Sequence, residues 1–564
     1  MDSRKGTHPQ ESTDMIEIKD DQLRVHFNRF DLASYRTFLQ VKRLPEYRLE
    51  FHEADDTYTV TAPARFAPLL GVEIPESLRA GPVVSEFLFD DQQEIARMAL
   101  AAKRFACWSD CGLGKTLLGL EFARHVQHLR GGRVLFVTLN EIVPQWIEEA
   151  AKWYGSAMSL LRIQNRQHLK SWCAGHAEDA PFAVCNYEKF NHKTEAEQII
   201  NEIRHLSGIV IDESSRLKTG GGKQKWSLIK SARGIEYKLS LTATPAPNEI
   251  MEFASQASFL EKMRSDNEII WTYFRRDEKT HRWTVKQHAR KAFYEFMAGW
   301  SIYVRDPRKY GWRMNVKQPP PPVYFRHEIP ITPEQRQLVM EFNNSPKYTS
   351  TANEGMMFAG ELNAIAANKL SQAAKGFIYQ GGRKSVRSIA SNKPRFVADL
   401  IAGEAADGPG RGLNTLVWTV YDEEARILSK LLAGSPFNVE VLTGATPKQS
   451  RIDILERFRR GDTRVLIGRA NMLGYGMNFQ HCGSMVFSGF SFSYESFYQA
   501  VRRAFRHGQT KKLRVHVPVV QELEGQMWDA IGRKQKLHEE SIAEMEQNYV
   551  KVLGAIEIRK ERVA

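Results

Sequence analysis

The sequence predicts an α/β protein: two tandem parallel-sheet lobes, a helical insertion between them, and a small N-terminal α+β domain. Three observations carry this expectation. Apolar runs of strand length alternate with helical periodicity over residues 86–255 and again over 391–518. These runs end in polar residues, as parallel strands do where their carboxyl ends border a ligand site. The third is the stretch Ser109-Asp-Cys-Gly-Leu-Gly-Lys-Thr116, set between an apolar-rich segment and a helical pattern.

Composition sets the frame. The chain has 564 residues, 42% hydrophobic and 26% charged, which is globular and long enough for several domains. Its formal net charge of +13 favours a polyanionic partner, chiefly nucleic acid, without choosing DNA over RNA. Its five cysteines contain no C-x-x-C pair, which argues against a zinc site or a disulfide framework. No stretch approaches the ~18 apolar residues of a membrane span, and the polar start has no apolar signal core. The expectation is a cytoplasmic protein without a membrane partner.

Residues 1–85 read as an accessory domain, with strands at Leu23–Phe27 and Tyr58–Thr61, a helix over Phe30–Val41, and no visible chemistry. Residues 86–255 form the first lobe. A helix opens at Phe89–Gln93, where the amide of Gln93 could match the donor and acceptor edge of adenine; a solvated glutamine is the plainer reading. The stretch Ser109–Thr116 has the makings of a phosphate cradle. Loop N–H groups around Gly112 and Gly114 and the following helix N-terminus face an anion, Lys115 reaches β- and γ-phosphates, and the Thr116 hydroxyl suits Mg²⁺. A Gly-rich turn with a surface lysine is the alternative. Strands then follow at Arg133–Val137, Phe182–Cys185, Gly208–Asp212 and Tyr237–Leu241. The third ends in Asp212-Glu213-Ser-Ser215, which places one carboxylate toward Mg²⁺ and the next toward an attacking water.

Residues 256–390 read as a basic helical insertion and linker. Between Trp271 and Arg313 there are eleven Lys/Arg against four Asp/Glu, interleaved with Trp271, Trp283, Trp300 and Trp312. Arg275 and Arg276 are the candidate backbone contacts of this surface; a solvated face over an aromatic core is the equal alternative. Pro319–Pro322 reads as an extended connector. The second lobe, 391–518, has strands at Asn414–Trp418, Val439–Leu442, Arg464–Ile467 and Ser484–Phe487, and helices over Tyr421–Leu432 and Ile452–Arg460. It has no phosphate cradle. It offers Arg503 and Arg506, three apart, to an anion bound on the other lobe. Residues 519–564 read as a bracing helix.

Taken in order, Phe89…Gln93, Asp110–Thr116, Val143-Pro-Gln-Trp146, Asp212–Ser215, Leu241-Thr-Ala-Thr-Pro245, Gly474-Tyr-Gly-Met-Asn478 and Gln499–Gln509 resemble the Swi/Snf-like branch of the superfamily 2 helicases and translocases. The resemblance covers about residues 87–250 and 390–518. It implies RecA-like lobes, ATP and Mg²⁺ at Lys115, Thr116 and Asp212, and hydrolysis by Asp212 and Glu213. It further implies coupling through Thr242, Thr244 and Gln499, a nucleotide contact at Gly476, nucleic-acid contacts at Gln145, Trp146 and Asn478, and arginine fingers at Arg503 and Arg506. Asp-Glu-Ser-Ser departs from the commoner Asp-Glu-x-His, and Arg502 stands where a Gly is common; a surface position is expected for Arg502 over a third phosphate contact. The expected function is ATP-dependent translocation on double-stranded DNA, as a monomer. The alternatives are a strand-separating DNA or RNA helicase and a nucleotide-switched nucleic-acid-binding scaffold. Any nuclease or methyltransferase activity would come from a partner.

Overall fold

The computed structural model describes residues 15–19, 22–27, 32–42, 44, 47–72, 83–176, 180–192, 194, 199–217, 222–277, 283–313, 319–345, 348, 363–381, 385–406, 413–469, 473, 478–506 and 508–563. The N-terminal unit is an antiparallel sheet of β1 (Met15–Lys19), β2 (Gln22–Phe27), β3 (Arg48–His52) and β4 (Thr57–Pro63), ordered β1-β2-β4-β3, with α1 (Leu32–Val41). Alternation buries Leu23, Val25 and Phe27 on one face of β2.

The first lobe opens with α2 (Asp90–Ala102), whose first turn carries Asp90 and Asp91 toward the positive helix end. Then follow β5 (Arg104–Ser109), α3 (Lys115–Arg130), β6 (Val134–Thr138), α4 (Val143–Tyr154), β7 (Leu160–Arg162), α5 (Arg166–Cys173), β8 (Phe182–Asn186), β9 (Gly208–Ile211), α6 (Lys223–Ser231) and β10 (Tyr237–Thr242). With β13 (Ser301–Val304) at one edge, the order β13-β5-β10-β9-β6-β8-β7 makes a seven-stranded sheet, parallel throughout. Helices on both faces explain why β6 and β10 are buried at every position instead of alternating.

The edge strand β13 (Ser301–Val304) comes from inside the stretch read as an insertion. That stretch holds α7 (Phe253–Phe259), α8 (Asp266–Tyr273), a hairpin of β11 (Phe274–Arg276) and β12 (Trp283–Val285), and α9 (Arg290–Trp300), before returning to pair with β5. Ser-Ile-Tyr-Val is too short to stand out among basic residues, yet all four positions are buried beside the phosphate loop. Similarly, β14 (Val323–Glu328), just past the prolines, is the edge of the second sheet and not a free connector.

The second lobe continues with α10 (Pro333–Asn343), started by a Thr332/Gln335 capping box, then α11 (Ala364–Ala374) and the hairpin β15 (Phe377–Gln380) and β16 (Ser385–Ser388). Next come α12 (Lys393–Ala405), β17 (Thr415–Thr419), α13 (Asp422–Leu431), β18 (Val439–Leu442), α14 (Lys448–Arg460), β19 (Val465–Arg469), β20 (Ser484–Phe487), α15 (Tyr494–Arg502) and β21 (Arg514–Val519). Its parallel sheet runs β14-β21-β20-β17-β19-β18.

A last helix, α16 (Gln521–Val563), ties the lobes together. Near its start, Glu524 is buried between two buried lysines, with Lys375 Nζ and Lys393 Nζ each donating at 2.6 Å. Removing one partner from such a set costs about 3–5 kcal/mol because a bare charge stays buried. Farther along, Lys534 Nζ donates to Asn248 Oδ1 (3.0 Å) in the first lobe and to the Phe492 carbonyl (2.8 Å) in the second. Arg290 Nε then donates to Glu544 Oε1 at 2.6 Å.

Candidate ATP site between the lobes

The phosphate loop turns between β5 and α3. Gly112 (φ +87°) and Gly114 (φ +72°) occupy left-handed backbone that side-chain-bearing residues rarely adopt. Gly114 is doubly constrained, because a Cβ there would meet Gln92 Nε2 at 2.1 Å. That amide donates to the Leu113 carbonyl (3.2 Å), and its oxygen accepts from Phe89 N–H (3.1 Å). Gln92, which sequence reasoning passed over, is therefore the glutamine against the loop. Gln93 donates to the Leu88 carbonyl at 2.9 Å. Lys115 Nζ lies over the turn, donating to the Ser109 (2.7 Å) and Asp110 (3.2 Å) carbonyls. Thr116 follows in the first turn of α3.

The acidic pair stands at the end of β9, two strands from β5. Asp212 is held on every side. Its Oδ2 accepts from Thr138 Oγ1 (3.2 Å) and Trp146 Nε1 (3.0 Å), its Oδ1 from Glu213 N–H (2.9 Å), and its carbonyl from Tyr187 OH (2.7 Å). Glu213 has φ +50°, a strained conformation for a glutamate that the surrounding bonds must maintain. Burial, and then the Asp212 charge beside it, push its carboxyl up to about 7. Thr242 Oγ1 donates to Glu213 Oε2 (3.4 Å) and accepts from Thr244 N–H (3.2 Å), so both threonines lie beside the acidic pair.

Trp146 corrects an expectation. A nucleic-acid contact would have to be exposed, but Trp146 is fully buried, packs on Phe136 with ring centroids 4.9 Å apart, and spends its indole donor on Asp212. α4 turns this residue inward, whereas Gln145 beside it is half-buried. Gly119 on α3 makes room for the indole, since a Cβ there would lie 2.6 Å from Trp146 Cη2. The helix-opening tetrapeptide could not reveal which of its side chains points inward.

The second lobe reaches this site through α15. Gln499 Nε2 approaches Glu213 Oε2 at 3.5 Å, Ser215 Oγ donates to Glu495 Oε1 at 2.7 Å, and Tyr498 OH donates to Asp110 Oδ1 at 2.6 Å. Arg503 is buried, and its charge draws the Glu213 carboxyl down against the effect of burial. Arg506 lines a cleft of about 570 Å³ together with Cys111 and Gly112. Arg502 is not on the surface as expected. It pairs with Asp110, with its guanidinium stacked 4.7 Å from the Phe505 ring centroid. One turn of helix thus brings Arg502 inward beside Tyr498, a placement its charge alone concealed.

The remaining candidates lie elsewhere. Asn478 is exposed and bonded to Gln480 (Nδ2 to Oε1, 3.0 Å). Gly476 lies outside the described residues. Arg275 and Arg276 are exposed on the β11–β12 hairpin next to Trp271, which is 72% exposed.

The donor set fits a Mg²⁺–nucleotide. Lys115, the N-terminus of a 16-residue helix and a Gly-lined turn supply positive potential for phosphates. Among the described residues no group of three or more His, Cys, Asp or Glu could hold a metal ion. One carboxylate and one hydroxyl are nonetheless what Mg²⁺ takes from a protein when phosphates and water fill its other positions.

Residues 87–247 match the family described as "Type III restriction enzyme, res subunit", and residues 392–508 the "Helicase conserved C-terminal domain". The first match falls on the first lobe and the second on the second lobe, so both lobes are similar to those of helicase-family proteins. YwqA of Bacillus subtilis (strain 168), named as an ATP-dependent helicase/translocase, is 22% identical over 73% of this chain and 43% of its own length. Protein p41 of Acyrthosiphon pisum secondary endosymbiont phage 1 is 23% identical over 73% and 87%. The mouse DNA annealing helicase and endonuclease ZRANB3 is 21% identical over 75% and 38%. The chain thus spans less than half of YwqA and ZRANB3. A solved SWI2/SNF2 ATPase core of Sulfolobus solfataricus in complex with dsDNA aligns over 82% of this chain and 97% of its own, at 17% identity and a TM-score of 0.37. Among the described residues, no helix is long and apolar enough to cross a membrane.

Proposed function

We propose that this chain is a Swi/Snf-like, ATP-dependent translocase on double-stranded DNA. One observation carries the reading: α15 of the second lobe contacts both the phosphate loop and the Asp212–Glu213 pair of the first. Any change of lobe spacing would move Arg503 and Arg506 relative to the nucleotide site, so hydrolysis and domain motion share one set of contacts.

In this proposal Lys115 and the loop N–H groups orient the β- and γ-phosphates. Thr116 and Asp212 would hold Mg²⁺, which would supply charge neutralisation at the phosphates. Glu213, with a carboxyl near neutrality, orients the attacking water and accepts its proton. Arg503 and Arg506 meet the charge that develops on the γ-phosphate. Thr242, Thr244 and Gln499 report the state of Glu213 to both lobes. Arg275 and Arg276, with Trp271, offer a cationic, aromatic surface to a phosphate backbone. The names of ZRANB3 and YwqA support DNA as the track and translocation as the activity.

The deciding experiment is the ATPase rate on duplex DNA, single-stranded DNA, forks and RNA at one salt concentration, with displacement of a triplex-forming strand as the readout of movement. Duplex stimulation with triplex displacement and no fork unwinding is expected. Hydrolysis indifferent to duplex DNA would reject the reading. Fork unwinding would favour a strand-separating helicase.

A further inference from the structure

Arg502 ends α15, and the two candidate fingers Arg503 and Arg506 come directly after it. Its side chain is 13% exposed and pairs with Asp110, which is 6% exposed. Asp110 is itself held by further hydrogen bonds. Its backbone N–H donates to the Val304 carbonyl of β13 (2.9 Å), and its Oδ1 accepts from Cys111 N–H (2.7 Å) and Tyr498 OH (2.6 Å). Tyr498 and Arg502 are four residues apart, so one helical face presents both to a single carboxylate. The guanidinium is flanked by the rings of Phe505 (4.7 Å) and Tyr498 (5.9 Å) and approaches the Cys111 carbonyl at 3.5 Å.

We infer that Arg502 is a positioning residue for ATP hydrolysis: through Asp110 it fixes the end of α15 on the phosphate loop and so sets where Arg503 and Arg506 stand. The inference rests on the ATPase reading above. Its physical basis is that an arginine finger works only when held close to productive geometry, and a misplacement of about 1 Å costs on the order of 10²-fold in rate. Without Arg502, the bonds of Glu495, Tyr498 and Gln499 would still hold the body of α15, but its last residue, next to Arg503, would be free to swing. The same end joined by a buried ion pair to a loop fixed on the sheet would not. The charge of Arg502 is matched by Asp110 and its face is covered by two rings, which separates it from its neighbours, whose task is to meet phosphate.

The test is steady-state ATP hydrolysis by the full chain at saturating duplex DNA, with thermal midpoints measured for every variant. Arg502→Ala should lower kcat about tenfold or more while KM for ATP stays within about threefold, and Arg502→Lys should recover part of the loss. Asp110→Asn should lower kcat in the same way. The double variant should be no slower than Arg502→Ala alone, because both changes remove one contact. Wild-type kcat in Arg502→Ala would overturn the inference. So would losses that multiply in the double variant, or a KM that rises in step with the fall in kcat, which is the mark of a direct phosphate ligand. If Arg502→Ala does not fold, Asp110→Asn supplies the kcat-against-KM split. A wild-type chain without ATPase activity would instead remove the reading beneath the inference, and that result is visible before any variant is made.

Discussion

Ser215 Oγ donates a 2.7 Å hydrogen bond to Glu495 Oε1, across the cleft and 280 positions along the chain. Ser215 is the fourth residue of Asp-Glu-Ser-Ser, where the commoner pattern has histidine. The short hydroxyl still reaches the second lobe because α15 brings a long acidic side chain to it. This bond and the Gln499–Glu213 approach lie four residues apart on α15.

Ser215→Ala should therefore weaken coupling between the lobes without emptying the nucleotide site. A charge-assisted hydrogen bond is worth about 1.5–3 kcal/mol. A loss of about tenfold in DNA-stimulated kcat is expected, with little change in KM for ATP, measured by coupled-enzyme assay. Unchanged kcat and unchanged translocation would show that Ser215 only packs.

Lys115→Ala addresses the proposed division of labour between the nucleotide site and the DNA surface. Among the described residues the lysine bonds only to loop carbonyls of its own turn, while Arg275 and Arg276 project from a separate hairpin. Hydrolysis should fall about 10²–10³-fold, the usual cost of losing one preorganised donor to developing charge. Duplex affinity by fluorescence anisotropy should change less than about threefold. Equal loss of both would mean that the loop supports the fold.

How far these features could be read beforehand depended on whether they were local in the chain. Strands such as Val134–Thr138 and Gly208–Ile211 announce themselves as apolar runs with polar ends, and Gly112, Gly114, Lys115 and Asp212 stand in short spacings with their own mechanism. Ser301–Val304 was hidden because a serine and three apolar residues in a basic segment have no period to detect. The inward turn of Trp146 depended on space left by Gly119, twenty-seven positions earlier. Tyr498 and Asp110 are 388 residues apart, and nothing near either one marks the other. Arg502 looked like surface for the same reason: a buried arginine is known only by its partner.

Arg275 and Arg276 carry a salt-dependent prediction. If each neutralises one backbone phosphate, replacing both with Gln should reduce the slope of log affinity against log salt by about two. Titrations of a fluorescent duplex between 50 and 200 mM salt, about the range where phosphate contacts dominate, would measure it. A parallel slope with the same affinity would place the DNA track elsewhere.

His538 makes the brace pH-sensitive. It lies on α16 among Tyr303, Tyr494 and Tyr498, with ring centroids at 6.3, 5.5 and 6.0 Å, and Nε2 is buried without a partner. Burial, and then the Arg305 charge, lower its pKa from 6.5 to about 4, while Asp110 pulls the other way. A buried neutral histidine contributes nothing adverse above the unfolded value. As pH falls from 6.5 toward 4 the unfolded chain takes up a proton that the folded chain refuses, so stability is lost across that window, up to about 3 kcal/mol. Between pH 7 and 5 the share is about 2 kcal/mol, or roughly 4–8 °C in Tm for a cooperative unit the size of one lobe. His538→Leu should fall by that much less than the wild type over the same interval, as followed by differential scanning calorimetry. Parallel curves for the two proteins would mean that His538 is protonated in place, with the aromatic ring cluster accommodating the charge.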